Sequence, residues 1–315
     1  MKRFYLLLNV LLVLPELWAS QLPAALIYYE RPGATVFIVD KSGCAIHVFQ
    51  YQGHWNKVRE FACTTGKLNG EKDREGDLKT PTGLYQMSKV WTGEQLFRRH
   101  GSSASIYGVG AFELNYPNYL DKVWYQKDGD GIWLHGTDKP QPEATRGCIA
   151  TTNENWSALA QFIELRQTPF IVEETMTYLP EETIVQVRRE LLKFIEEWRS
   201  AWESNPTERY LTFYSERFKT PEFDYPQWSR FKQRINQRNQ NRRVTVEELS
   251  IFQAKGIYHI AFIQRYDSSR TKSRGKKYVY VVQEQGRYQI ISERWEKVSP
   301  SARQYVNQVE AKEAL

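Results

Sequence analysis

What this chain has little of narrows its chemistry first. Its 315 residues include only 5 histidines and 3 cysteines. No pair among Cys44, Cys63 and Cys148 has metal-ligand spacing, so the residues point to no zinc site and to no other cofactor. The glycine-bearing segments lack a phosphate-loop pattern, which removes the usual sign of nucleotide binding. Internal repeats and low-complexity tracts are absent. The apolar run Tyr5–Leu14 falls well short of the ~20 residues of a membrane-spanning helix.

That run has another use. Lys2 and Arg3 precede it and the small residues Ala19 and Ser20 follow it, the layout of an export signal over 1–20. Leu17 and Trp18 fit a cleavage site poorly, so an uncleaved inner-membrane anchor is the alternative. Either way the working part of the chain is expected outside the cytoplasm. An odd cysteine count in an exported protein suggests one disulfide and one free thiol.

The rest of the composition is that of a soluble globular protein, with 41% hydrophobic and 25% charged residues. The length suits two domains. Aromatics are plentiful, with 10 Trp and 19 Tyr, as in aromatic-lined grooves or tightly packed β domains. The net charge of +6 is uneven. Residues 21–177 carry 16 basic and 18 acidic side chains, whereas 178–315 carry 25 and 18. The basic half suits an anionic polymer or membrane surface, or is simply a solvated face.

Short runs rich in β-branched and aromatic residues over Thr35–Asp40, Cys44–Tyr51 and Lys57–Thr64, with turn residues between them, predict a β meander. If the last two form a hairpin about Gly53 and His54, Cys44 faces Cys63, and a cross-strand disulfide becomes geometrically possible. Two buried small thiols are the alternative. Further strands are predicted at Leu84–Val90, Phe112–Tyr116, Gly131–Leu134 and Pro169–Val172. One helix is predicted over Thr152–Leu165, capped by Thr152 or Asn153.

Beyond residue 177 the pattern changes. Pro180-Glu181-Glu182 opens a helix, and Ile184, Val187, Leu191, Ile195, Trp198 and Trp202 form one apolar stripe along it. Helices are predicted over Thr207–Phe218 and Tyr225–Asn239. Strands follow at Val244–Gln253, Tyr258–Tyr266, Lys277–Gln285 and Arg287–Trp295, with Gln285-Gly286 as a hairpin turn. The fold class is α+β: a mostly-β unit over 21–177, an α+β unit over 178–298, and a C-terminal tail over 299–315. Arg230, Lys232, Arg234, Arg238, Arg242 and Arg243 make a basic stretch free of acids. The export signal argues against nucleic acid as its partner and favours an anionic wall polymer.

Chemistry concentrates in Gly131–Ala150. A thiol attacks an acyl carbon only as the thiolate, and a free cysteine titrates near 8.5. Cys148 needs a proton acceptor, and His135 is its nearest histidine in sequence, at the end of a predicted strand. Gly147 allows close backbone approach, and N–H groups near Gly147 and Cys148 suit an oxyanion hole. Arg146 suits a carboxylate. A histidine and a cysteine chosen at random are more often structural than catalytic, so the surrounding residues carry the weight.

Ile132-Trp133-Leu134-His135-Gly136 followed by Thr145-Arg146-Gly147-Cys148-Ile149-Ala150 resembles the active-site motif of the L,D-transpeptidase catalytic-domain family. Thr65-Gly66-Lys67, Lys79-Thr80-Pro81-Thr82-Gly83 and Asn115-Tyr116-Pro117-Asn118 resemble further pieces of that domain, so the likeness spans Thr35–Val172. The resemblance implies Cys148 as nucleophile and His135 as general base. It places Gly147 in the oxyanion region, Thr145 in hydrogen-bonded support and Gly136 in the turn beside the base. Many members carry a second histidine where this chain has Arg146. Arg146 is therefore expected to lower the Cys148 pKa and to grip a stem carboxylate.

The substrates implied are peptidoglycan peptide stems, attacked at the bond to D-Ala in the periplasm. The acceptor is then another stem, a wall-attached protein, or water, giving an L,D-carboxypeptidase or a hydrolase that releases wall-attached protein. A non-catalytic peptidoglycan-binding protein is the reading of another class. The element order after 178, with Trp198, Trp202 and Tyr210, resembles the cone-shaped (cystatin-like) fold of the nuclear transport factor two type. That fold is joined to this catalytic domain in L,D-carboxypeptidases of cell-shape control.

Overall fold

Runs of apolar and β-branched residues build two sheets here, and one strand early in the chain ties them together. The computed structural model describes residues 20–204 and 206–297; the expected signal, apart from Ser20, and the tail 299–315 lie outside the described residues.

Thr35–Asp40, Ala45–Tyr51 and Trp55–Ala62 form the expected meander. Pro169–Glu173 runs parallel to Thr35–Asp40. Gly83–Thr92, Gly110–Leu114, Trp133–His135 and Ile149–Ala150 follow beyond it, completing an eight-stranded mixed sheet. Val36, Phe37, Ile38 and Val39 are all buried, as in a strand covered on both faces. Phe37 and Val39 pack into the interior of the first unit. Val36 and Ile38 face the other way, into a cluster shared with Phe252 of the second unit.

The second unit wraps a five-stranded antiparallel sheet around the helix Glu181–Glu203. Ile184, Leu191, Ile195, Trp198 and Trp202 of the expected stripe are buried, together with Phe194 and Ala201. Val187 is only partly buried. The sheet runs Arg287–Lys297, Lys272–Glu284, Ile257–Asp267, Arg243–Ala254. Two of its hairpins turn on consecutive positive-φ residues, the expected Gln285 and Gly286 and also Lys255 and Gly256. That geometry matches the right-handed twist of the flanking strands.

The fifth strand of this sheet is Leu26–Tyr29, which pairs antiparallel with Arg243–Ala254. Residues assigned by the sequence to the first unit thus hydrogen-bond into the sheet of the second. Gln21–Pro23 pairs with Tyr178–Pro180 at the junction.

Four expectations need correction. Cys44 and Cys63 are both free. The register brings their backbones together, with Cys63 N donating to Cys44 O at 2.8 Å. However, Cys44 leaves the strand at φ 51° and is exposed while Cys63 is buried, so the thiols do not meet. The helix expected over Thr152–Leu165 keeps its Thr152 cap but ends at Ala160. The helix expected over Thr207–Phe218 stops at Leu211. The basic stretch is split: Arg230, Arg234, Arg238 and Arg243 are exposed, but Lys232 and Arg242 are buried.

The helix Gly93–His100, opened by a Thr92–Gln95 capping box and continued by the 3-10 turn Gly101–Tyr107, carries no apolar periodicity that would announce it. It covers one face of the strand pair described next.

Candidate active site

Trp133–His135 and Ile149–Ala150 lie side by side as parallel strands at one end of the eight-stranded sheet. Leu134 pairs with Ile149 and His135 with Ala150. Extending that register by one residue puts Cys148 beside Trp133. Partners in a parallel ladder project from the same face, and i and i+2 share a face. Cys148 and His135 therefore share one face as diagonal neighbours. Trp133 and Cys148 pack there with Leu96, Ala104 and Tyr107.

His135 is 6% exposed, and its Nδ1 lies 2.6 Å from Gly136 O. A carbonyl only accepts, so Nδ1 carries the proton and Nε2 presents a lone pair. Tyr107 meets the ring edge to face at 5.2 Å. Burial lowers the imidazole pKa, and the Gly136 bond opposes that pull. The ring is thus held in one orientation, with burial favouring its neutral form. Gly136 N donates to Gly110 O at 3.1 Å, and a Cβ at Gly136 would stand 2.3 Å from Asn153 Oδ1. The turn beside the base therefore needs glycine.

The Cys148 thiol donates to Gly131 O at 3.4 Å. Burial raises its pKa, while the Trp133 N–H and the Lys72 ammonium favour the thiolate. Resting thiol and resting imidazole are both uncharged. Gly147 sits at φ +131°, and a Cβ there would approach Lys79 O to 2.9 Å. Thr145 Oγ1 donates to Cys148 O at 2.6 Å and accepts from Gly147 N at 3.0 Å. Its backbone is pinned on both sides, to Thr65 O at 2.8 Å and from Lys67 N at 2.9 Å. Thr145 thus ties the backbone of Gly147 and Cys148 together. Gly147's N–H is already committed to that support, so it is not free to hold an oxyanion in this state.

Arg146 is exposed and makes no hydrogen bond or ion pair among the described residues. The charged side chain that favours the thiolate is Lys72, not Arg146. No group of three or more His, Cys, Asp or Glu suited to a metal ion occurs among the described residues.

Residues 34–172 match the L,D-transpeptidase catalytic domain, and residues 190–294 match the Cds6 C-terminal NTF2-like domain. The structure of Bdellovibrio bacteriovorus Bd1075 is 32% identical, with a TM-score of 0.76, over 89% of this chain and 100% of that one. The chain belongs to the L,D-transpeptidase family. It is also similar to the helical cell shape determining protein Pgp2 from Campylobacter jejuni. The identity is 28% and the TM-score 0.72, over 86% of this chain and 95% of Pgp2. Among curated protein sequences none matches.

Three contributors to this L,D-transpeptidase site were not singled out from sequence. Thr80 Oγ1 accepts from Gly66 N at 2.8 Å and reaches Cys148 O at 3.5 Å. The Lys79-Thr80-Pro81 motif was a usable signal for it. Tyr107 and Lys72 had none, because each arrives from a segment without regular apolar pattern.

Proposed function

We propose that the protein is an exported, periplasmic cysteine acyltransferase that acts on peptidoglycan peptide stems through a thioester at Cys148. The observation that carries this reading is the shared face of Cys148 and His135, with His135 Nδ1 pinned and Nε2 free. His135 Nε2 takes the thiol proton as Sγ bonds to the carbonyl carbon preceding D-Ala. The N–H of Cys148 meets the oxyanion. Collapse breaks the C–N bond, and His135 returns the proton to the leaving amine. The resulting thioester passes the acyl group to an amine of another stem, to a lysine of a wall-attached protein, or to water, again through His135. Arg146, exposed next to the nucleophile, meets a stem carboxylate. Because Pgp2 is named a helical cell shape determining protein, we infer a role in wall remodelling and cell shape for this chain too.

The test is incubation with disaccharide-tetrapeptide followed by mass spectrometry. The expected result is tripeptide product together with an acyl adduct on Cys148. Cross-linked dimers make the acceptor an amine, and tripeptide alone makes it water. Unchanged tetrapeptide, with no Cys148 adduct from a carbapenem either, would support the non-catalytic wall-binding alternative.

A further inference from the structure

The outer face of the C-terminal sheet meets the first unit across a cavity of about 70 Å³. Strand alternation decides which side chains line it. Lys277 and Glu293 point into the cone, so Lys276, Tyr278, Tyr280 and Arg294 point out of it, toward the first unit. From the first unit come Gln86, Asn115 and Gln167. Tyr119 closes one side. Its ring stacks on Tyr280 at 5.5 Å, and its hydroxyl lies 3.0 Å from Ser292 Oγ.

The cavity holds more donors than partners. Lys276 Nζ makes no hydrogen bond or ion pair among the described residues; its ammonium lies 5.3 Å from the centre of the Tyr278 ring. Burial lowers its pKa, and Glu296 opposes that pull. Arg294 lies over the Tyr278 ring, 3.9 Å from its centre, and its Nη1 pairs with Glu296. Its Nε is buried with no hydrogen-bond partner, and a buried donor left open is destabilising until an acceptor reaches it. On the facing side, Asn115 Oδ1 accepts from Gln86 N at 2.8 Å and Gln167 Oε1 from Arg31 at 3.1 Å. The amide nitrogens of both, and the whole Gln86 amide, have no partner among the described residues. Nor does any aspartate or glutamate among those residues line the cavity. His259 does, but burial pushes it down to about 3, so it adds no charge.

We propose that this cavity is a ligand site, apart from Cys148, that takes the carboxylate of an N-acylated amino acid, as found at a peptide C-terminus. Arg294 Nε and Lys276 Nζ meet the carboxylate, for which a guanidinium and an ammonium are the ordinary partners. A free amino acid fits less well, because no acid is there to receive its ammonium. Acylation turns that ammonium into an amide, and Gln86, Asn115 and Gln167 supply amide partners for it. Inorganic phosphate would meet the cations but leave these amides and the Tyr278 and Phe252 rings unused. A single water needs about 10–15 Å³ of such space, so this cavity takes one terminal residue and not a disaccharide. The ligand touches both units at once, so its binding also joins them.

The test is protection of Lys276 from acetylation by an N-hydroxysuccinimide ester in the full-length protein, read peptide by peptide in the mass spectrometer, with exposed Lys193 as the internal control. The probe is N-acetyl-D-alanine at ~10 mM, about ten times a Kd of ~1 mM. It is expected to slow Lys276 labelling about tenfold and to leave Lys193 unmoved. D-Alanine and inorganic phosphate at the same concentration are expected to protect less than about twofold. Arg294→Gln is expected to abolish the protection, with a thermal melt to check its fold. Gln86→Leu removes an unpaired side chain and is expected to weaken protection about threefold. No protection of Lys276 in the wild type overturns the site. Protection that survives in both variants overturns the assignment of these residues, and equal protection by D-alanine or phosphate overturns the ligand class. Labelling at Lys276 does not depend on the chemistry at Cys148, so failure of the proposed function and failure of this inference are read separately.

Discussion

Two of the places where the molecule buries polar groups treat them in opposite ways. At the end of the first sheet, burial leaves both partners uncharged: it pushes the Cys148 thiol up and His135 down. Inside the C-terminal cone, charge is kept. Lys277 is ion-paired with Glu293, which also accepts from Tyr214 at 2.7 Å. Glu293 lies below the usual carboxylate range: desolvation opposes this, but Lys277 and Lys232 outweigh it. Lys232, boxed by Trp202, Tyr210 and Trp228, is left over and pushed down to about 7 by burial. A paired buried charge costs most when one partner is removed. A neutral acid–base pair becomes charged only when a substrate calls for the proton transfer. The first arrangement suits chemistry, and the second suits a fixed architecture.

The sharpest break in this comparison is Cys148→Ala. It is expected to reduce tetrapeptide turnover about 10⁴-fold or more while leaving the melting temperature nearly unchanged, as checked by product assay and thermal melt. Glu293→Gln is expected to do the reverse. Leaving Lys277 and Lys232 buried without their carboxylate should destabilise the fold by about 3–5 kcal/mol in denaturant titration, with turnover per folded molecule retained. Equal loss of activity and stability in either variant would erase the distinction.

A smaller effect is the pH dependence of stability. Lys232 titrates near about 7 in the folded protein and at an ordinary 10.5 when unfolded. Between those values the unfolded chain binds the extra proton, so this group makes stability rise with pH through that window and fall back as pH drops toward 7. Lys232→Met should flatten that slope in melts taken from pH 7 to 10. By contrast, the acid limb of turnover should lie below pH 6.5, because burial lowers His135 from that value. The smallest effect belongs to Arg146→Ala. It is expected to raise KM for a tetrapeptide about three- to tenfold, with the pH profile of Cys148 alkylation by iodoacetamide unmoved. A shifted profile would give Arg146 an electrostatic role at the thiol.

Legibility in the sequence followed the range of the interactions. The meander, the long helix with its stripe and the Gln285-Gly286 turn depend on near neighbours. The turn beside His135 and the box around Cys148 are local too. The Thr145 hydroxyl reaches a carbonyl three residues on, so a motif can carry it. Arg146 was overvalued because adjacency in the chain was taken for adjacency to the sulfur. Lys72 was invisible because the segment that carries it is held by Asp77, Lys127 and, across the junction, Glu71 and Lys255.

Chain order alone is therefore enough for the meander, the long helix and the turn at Gln285-Gly286, since these rest on periodicity and on short spacings. Tertiary packing was needed for the rest. Leu26–Tyr29 has the same four apolar and aromatic residues whichever sheet it joins, and only the open edge beside Arg243–Ala254 assigns it. The pairing of Cys44 with Cys63 turned on one positive φ. The protonation of the site turned on burial, a property of everything packed around Cys148 and His135 and of no residue in isolation.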